Sequence, residues 1–329
     1  MYKAFFGFTH NPFELTPDPA YFVSTKRHNE ALAALYYGVR WHKGFVVVTG
    51  EVGTGKTLLL RCLLRLLKES EDISYAYLFN SRLTANEFLE YIVADFGLPA
   101  PGKNKSELLF ELSQFLLSRR SRRMTTVLIV DEAHHLSAEL LEEIRLLSDL
   151  ETADDKLLQI VLVGQPELDG KLDSIGLRQL KQRISLRAQL GPLDLEETKA
   201  YVTHRLQIAG SGEECVSIFS PEAIEAVYRY SKGLPRLINT ICENGLVAAY
   251  ARQAATVTES IIEDVAREFR LGVVSAPDGD GTRAQAEAEM QRAARALLEL
   301  LDKLRTPSAN EMDLIAAHAA ELGKHESHI

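Results

Sequence analysis

The sequence predicts an α/β fold: a three-layer core with a parallel sheet built around a phosphate loop (P-loop), then a small all-helical lid and a helical tail. Three observations carry that prediction. Short β-rich runs alternate with longer helical patterns from "GFVVVTG" to "ISLRAQLGPL", as crossover helices between parallel strands require. The glycine-rich octapeptide "GEVGTGKT", Gly50 to Thr57, lies between an apolar β-rich run and the helical pattern "LLLRCLLRLL". After "GPLDLEET" the strands stop and helical patterns alone follow.

Taken in order, residues 1–44 form an N-terminal segment, punctuated by proline in "NPFELTPDP" and helical in "HNEALAALYYGVRWH". The core at 45–193 carries the strands "GFVVVTG", "ISYAYLFN", "TTVLIVDE", "LLQIVLVG" and "ISLRAQLGPL". Between them lie the helical patterns "ANEFLEYIVADFG", "KSELLFELSQFLLSRR" and "AELLEEIRLLSDL". The lid at 194–271 has four helices, with start signals at Ser220 before Pro221 and at Thr258 before Glu259, and a stop at Gly233. Residues 272–284 have the Gly, Pro and Asp content of a linker. In the tail at 285–329, Met290, Ala294, Leu297, Leu301 and Leu304 make an a/d stripe, for docking on the body, self-association or a partner.

Composition is that of a globular chain: 329 residues, 46% apolar and 25% charged. The net charge of −9 argues against a surface that binds nucleic acid everywhere and leaves room for a local basic patch. Cys62, Cys215 and Cys242 are far apart and fit neither a disulfide framework nor a zinc cluster. With no leader pattern and no apolar run approaching about 18 residues, a soluble cytoplasmic protein without direct membrane insertion is expected.

The octapeptide fits GxxxxGK[ST], whose backbone N–H groups and following helix N-terminus cradle phosphates. A nucleotide's phosphates with Mg²⁺ are therefore expected along Gly50, Glu51, Val52, Gly53, Thr54, Gly55, Lys56, Thr57 and Leu58, and the resemblance given below makes that nucleotide ATP. Lys56 neutralises β- and γ-phosphate charge and Thr57 ligates Mg²⁺. In "TTVLIVDEAHHL" two acids end a buried strand, where open α/β sheets bind ligands. Asp131 holds the Mg²⁺ shell; Glu132 polarises the attacking water, or is a solvated strand-end acid. His134 and His135 are adjacent, so their side chains should point different ways and make no metal site.

At this point the chain resembles the AAA+ ATPases, and within them the ExeA-like branch named after the general secretion pathway protein A. The resemblance rests on "FFGFTHNPFELTPDPAYFVSTKRHNEALAALYYGV", "GEVGTGKT", "LIVDEAHHL", "LVGQPEL", "LRQLKQRI" and "KGLPRLIN", which together span about residues 1–270. It implies that Gln165 is the sensor 1 residue orienting the hydrolytic water, though a strand-end amide can also be a turn former. It implies that Arg183, with Arg178 competing, is an arginine finger donated to the neighbouring subunit, and that Arg236 is sensor 2 of the lid. Phe13, Tyr21 and Phe22 either line the adenine pocket, as that segment does in relatives, or fill core.

The resemblance further implies a homo-oligomer, a ring or a filament, with ATP sites between subunits. The expected work is assembly or remodelling of a protein partner in secretion or envelope systems. The membrane-spanning and wall-binding parts usual after such an ATPase have no counterpart in this tail. The rival is a duplex-DNA-binding regulator of transposition, TniB-like or TnsC-like, for which the run "SRRSRRM" containing Arg119 to Arg123 is the candidate contact. A third reading is a nucleotide switch with slow turnover.

Overall fold

The computed structural model describes residues 2–79, 83–152, 155–210 and 217–271. The linker at 272–284, the tail stripe from Met290 to Leu304 and Cys215 lie outside the described residues. Within 1–272, which forms one compact unit, the helices α1 (Tyr2–Phe5) and α2 (Lys26–Arg40) precede strand β1 (Phe45–Gly50). The core continues through α3 (Lys56–Lys68), β2 (Ile73–Leu78), α4 (Ala85–Asp95), α5 (Lys105–Ser121) and β3 (Thr125–Val130). It ends with α6 (Ala138–Leu147), β4 (Gln159–Gly164), α7 (Glu167–Leu172), α8 (Arg178–Arg183) and β5 (Ile184–Leu190). The lid is α9 (Leu195–Ala209), α10 (Pro221–Ser231), α11 (Pro235–Ala251) and α12 (Glu259–Glu268).

The five strands pair in the order β2-β3-β4-β1-β5, all parallel. Strands β1, β3 and β4 are buried throughout because helices cover both faces. Alternate residues therefore enter different cores. Phe45, Val47, Leu128, Val130, Ile160 and Leu162 pack under α4, α5 and α6, whereas Val46, Val48, Val127, Ile129, Val161 and Val163 pack under α2 and α3. Each fully buried aliphatic side chain there is worth about 1.5–3 kcal/mol of transfer free energy.

Local signals fix where the helices begin. Thr84 with Glu87, Asn104 with Glu107, and Asp194 with Glu197 form reciprocal capping boxes at α4, α5 and α9. Ser220 caps α10 through Ala223 N–H, and Pro221 supplies the fixed first φ. Gly233 follows α10 with φ +73°, and a Cβ there would lie 1.9 Å from the Leu193 carbonyl oxygen. That contact joins the lid to the end of the core, since Leu193 N–H donates to Gly233 O at 2.8 Å.

The N-terminal segment is divided between the two parts. Phe6, Phe8 and Phe13 belong to the lid's apolar core, with Phe13 edge-on to Phe219 at 5.9 Å. Thr9 N–H donates to Ala209 O at 2.8 Å, and Tyr2 and Asn11 both donate to Glu243 Oε1. Further on, α2 lies on the sheet. Residues 14–25 thus cross from lid to core past the C-terminal ends of the strands.

Candidate functional site

Strand β1 ends at Gly50, and the chain turns through Gly53 (φ +83°) to Gly55, the N-cap of α3. No side chain caps that helix, so its first N–H groups remain available to a ligand. Lys56 is 7% exposed, and its Nζ donates to Gly50 O at 2.7 Å and Glu51 O at 3.0 Å. Burial pushes this ammonium down from its ordinary range, against the pull of Glu132, Asp131, Glu51 and Glu167.

A cleft of about 360 Å³ opens over the loop. Val52, Gly53, Gly55, Lys56, Thr57 and Leu58 line one wall, with Glu132 and Gln165 from the ends of β3 and β4. The lid supplies Tyr201, Arg205, Pro235, Arg236 and Asn239, and the N-terminal segment adds Leu15, Thr16 and Pro17. Arg236 touches the loop directly: its N–H donates to Gly53 O at 3.2 Å, and a Cβ on Gly53 would lie 3.0 Å from Arg236 Cβ.

Gly50, Glu51 and Thr54 build the loop behind that wall; Thr54 is fully buried and its Oγ1 donates to Glu51 O at 2.8 Å. From below, His28 braces the loop, with Nε2 2.9 Å from Thr54 O and Nδ1 2.8 Å from Thr25 Oγ1. Burial pushes the His28 pKa down, so the neutral ring is favoured: Nε2–H donates to the carbonyl and Nδ1 accepts from the hydroxyl.

Asp131 is 6% exposed and sits behind Glu132. Its Oδ2 accepts from Tyr77 O–H at 2.9 Å and its Oδ1 from Glu132 N–H at 2.8 Å, while burial pushes its carboxyl pKa up. Glu132 takes φ +50°, and its Oε2 is buried without a hydrogen-bond partner. A buried carboxylate oxygen without a donor costs free energy unless a ligand or water completes it.

His134 and His135 depart from the expectation that they point different ways. They occupy a 3-10 turn in which the ring centroids lie 3.9 Å apart, and with Glu132 their ligand atoms all lie within 4.8 Å. Gln165 engages both His134 nitrogens, its N–H at Nδ1 (3.3 Å) and its side-chain amide at Nε2 (2.9 Å), which removes that ring from metal coordination.

Arg183 is not among the residues lining the cleft. Its Nη1 donates to Ser148 Oγ at 2.6 Å, and its Nη2 pairs with Asp149. Arg178 is exposed, with no ion-pair partner among the described residues. In the basic run, Arg119 Nη2 donates to the Asp72 and Thr125 carbonyls at 3.1 Å each and Arg120 pairs with Asp155, leaving Arg122 and Arg123 exposed.

Of the two readings of Phe13, Tyr21 and Phe22, pocket lining or core filling, the structure favours the second, since none of them borders the cleft. Phe13 is drawn into the lid core, and Tyr21 stacks on the Arg205 guanidinium at 4.9 Å. Sequence reasoning missed Arg205, Tyr201 and Asn239. Arg205 is 3% exposed, lies between the Tyr21 and Tyr201 rings and donates to Pro12 O at 2.8 Å. The only signal for Asn239 was its place one turn after Arg236 in "PRLIN".

The strand order, the glycine loop opening a helix, the paired acids and the helical lid define an AAA+ ATPase, and the chain belongs to that class. The AAA domain family matches residues 39–172. Within the class, the chain belongs with the ExeA-like proteins: it is 46% identical over 270 residues to the General secretion pathway protein A of Aeromonas hydrophila. That match covers 82% of this chain and 48% of the relative, so the chain spans about half of the relative's length. The ATP-dependent target DNA activator B of Escherichia phage Mu is 23% identical, over 78% of this chain and 76% of that protein. Among solved structures, the Aeropyrum pernix ORC2 protein in ADPNP–ADP complexes shares the fold at a TM-score of 0.60 and 18% identity, covering 79% of this chain and 72% of that one. Among the described residues, no helix is long and apolar enough to cross a membrane.

Proposed function

We propose that this ATPase binds ATP–Mg²⁺ in the cleft over Gly50–Leu58 and hydrolyses it in an oligomer whose neighbouring subunit completes each site, driving assembly or remodelling of a protein partner. The observation that carries this reading is the gathering of Lys56, Thr57, Glu132, Gln165 and Arg236 around one cleft that Arg183 does not line. A cation needed for transition-state charge but placed outside its own cleft is suited to act on a neighbour.

The donor set fits the cofactor. Lys56, the uncapped N-terminus of α3 and Arg236 offer positive charge and N–H donors to phosphates. Thr57 and Asp131 are hard oxygen ligands suited to Mg²⁺, which when bound neutralises phosphate charge. Glu132 keeps a carboxylate oxygen free to take a proton from water, Gln165 orients that water, and Arg236 couples the phosphates to the lid.

The secretion or envelope setting rests on the kinship with the Aeromonas protein, and a cytoplasmic location belongs to the same proposal. The DNA reading draws on the Mu relative. Against it stands the basic run, where Arg119 and Arg120 are spent on bonds within the chain. Steady-state ATPase rate against protein concentration, with and without duplex DNA, tests the choice. A per-subunit rate that rises with concentration and ignores DNA is expected. DNA stimulation that weakens steeply with salt would favour the transposition-type reading.

A further inference from the structure

We propose that His134 is a positioning residue that holds the Gln165 amide and keeps Glu132 unpaired for proton abstraction; this rests on the hydrolytic roles given to Glu132 and Gln165 above. The ring, 7% exposed, stands between the two. Its Nδ1 is 3.3 Å from Gln165 N and 3.3 Å from Glu132 Oε2, and its Nε2 is 2.9 Å from the amide nitrogen, Nε2, of Gln165. The turn beneath is clamped from α7, where Lys171 Nζ donates to His134 O at 2.5 Å and Leu136 O at 2.9 Å.

These contacts fix the tautomer. The Gln165 backbone N–H cannot turn, so where it donates to Nδ1 the ring proton sits on Nε2; the side-chain amide, whose nitrogen stands there at 2.9 Å, then has to turn over and present its carbonyl oxygen. After that half-turn the Gln165 NH₂ faces away from the ring, as a donor for the cleft that Gln165 lines. On the other side, Nδ1 carries no proton in this tautomer, so the neutral ring cannot donate to Glu132 Oε2 3.3 Å away. Among the described residues that buried oxygen has no hydrogen-bond donor, so nothing within the chain draws charge from the carboxylate and weakens it as a base.

A second proton on His134 would reverse both effects: Nδ1–H would close on Glu132 and displace the Gln165 N–H. Burial and the His135 ring push the His134 pKa down, against Glu132 and Glu167, with Lys56 also lowering it, so the neutral form prevails at neutral pH.

Steady-state turnover and ATP affinity of the full chain test this in His134→Phe, His134→Gln, Gln165→Ala and the double variant His134→Phe/Gln165→Ala. His134→Phe is expected to lower kcat about 10- to 100-fold with Kd for ATP within about twofold of wild type. The double variant should turn over no more slowly than Gln165→Ala, because the ring acts through that amide. His134→Gln, whose amide can donate to the Gln165 carbonyl, should recover part of the rate. Penalties that multiply in the double variant, or a wild-type kcat in His134→Phe, would overturn the positioning role while leaving the site reading intact. A wild-type rate in Gln165→Ala would remove both. If His134→Phe fails to bind ATP, His134→Ala and His134→Gln carry the same comparison.

Discussion

The two edges of the sheet carry the same kinds of side chain and treat them oppositely. At the N-terminal ends of the strands, Arg40 closes on Asp72, Arg120 on Asp155, and His42 on Asp155 (3.1 Å) and Thr125 Oγ1 (3.0 Å). At the C-terminal ends, Lys56 is held by backbone carbonyls alone, and Glu132 buries an oxygen with no donor. Charges whose bonds are complete hold the fold; charges fixed in place but left uncompensated wait for a ligand. His42 and His134 make the point within one residue type, the first answered by a carboxylate and a hydroxyl, the second facing a carboxylate to which its neutral ring does not donate.

The largest effect should come from the open edge. Lys56→Ala is expected to weaken ATP affinity about 100-fold or more by calorimetry, since phosphate charge loses its buried partner. Glu132→Gln should keep ATP affinity within a few-fold and lower turnover by about two to four decades. A wild-type rate there would show that another group takes the proton.

Arg183 puts the comparison under most strain. It stands at the closed edge, just before β5, already paired with Asp149 and Ser148, yet its proposed work lies on a neighbour. Arg183→Ala should cut turnover about 100-fold with binding spared. Mixing it with Lys56→Ala should restore part of the activity if the guanidinium acts between subunits. Without rescue, and with Arg178→Ala slow instead, the finger moves to the exposed arginine and the closed edge is structural throughout.

Smaller effects belong to the closed edge. Arg120→Ala should change stability by about 1 kcal/mol or less in a denaturant titration and leave turnover alone, because the pair is partly solvated. The smallest effect is a pH slope. Burial lowers the folded pKa of His28 below its ordinary 6.5, so the unfolded chain binds the extra proton first as pH falls. Stability is complete above that value and declines below it, a decline that His28→Gln should flatten in Tm measured against pH.

Local pattern made the sheet, the phosphate loop and the paired acids legible, because each depends on neighbours within about ten residues. "GEVGTGKT" needed only its preceding strand and following helix. The lid and N-terminal lining of the cleft was illegible: Leu15, Arg205 and Asn239 meet across almost the whole core, and no spacing rule spans that distance. The same distance left the three aromatics undecided between pocket and core, since the surface awaiting Phe13 is Phe219, about two hundred residues on. The two histidines misled for a different reason: in a three-residue turn the ring directions follow the contacts the rings make, as His134 does with Gln165, and not the rotation per residue of a regular helix.

The stitching of the first residues into the lid sets an order of events during synthesis. The sheet can close once β5 has left the ribosome, but Phe6, Phe8 and Phe13 find their cover only when α10 to α12 emerge. At about 5–20 residues per second, the stretch from Leu190 to Glu268 is a wait of roughly 4–16 seconds. Through that interval the nascent chain exposes a greasy leading end beside a finished sheet, the kind of surface that holding chaperones seize. Slower translation across the stretch between β5 and α12 would lengthen that exposure.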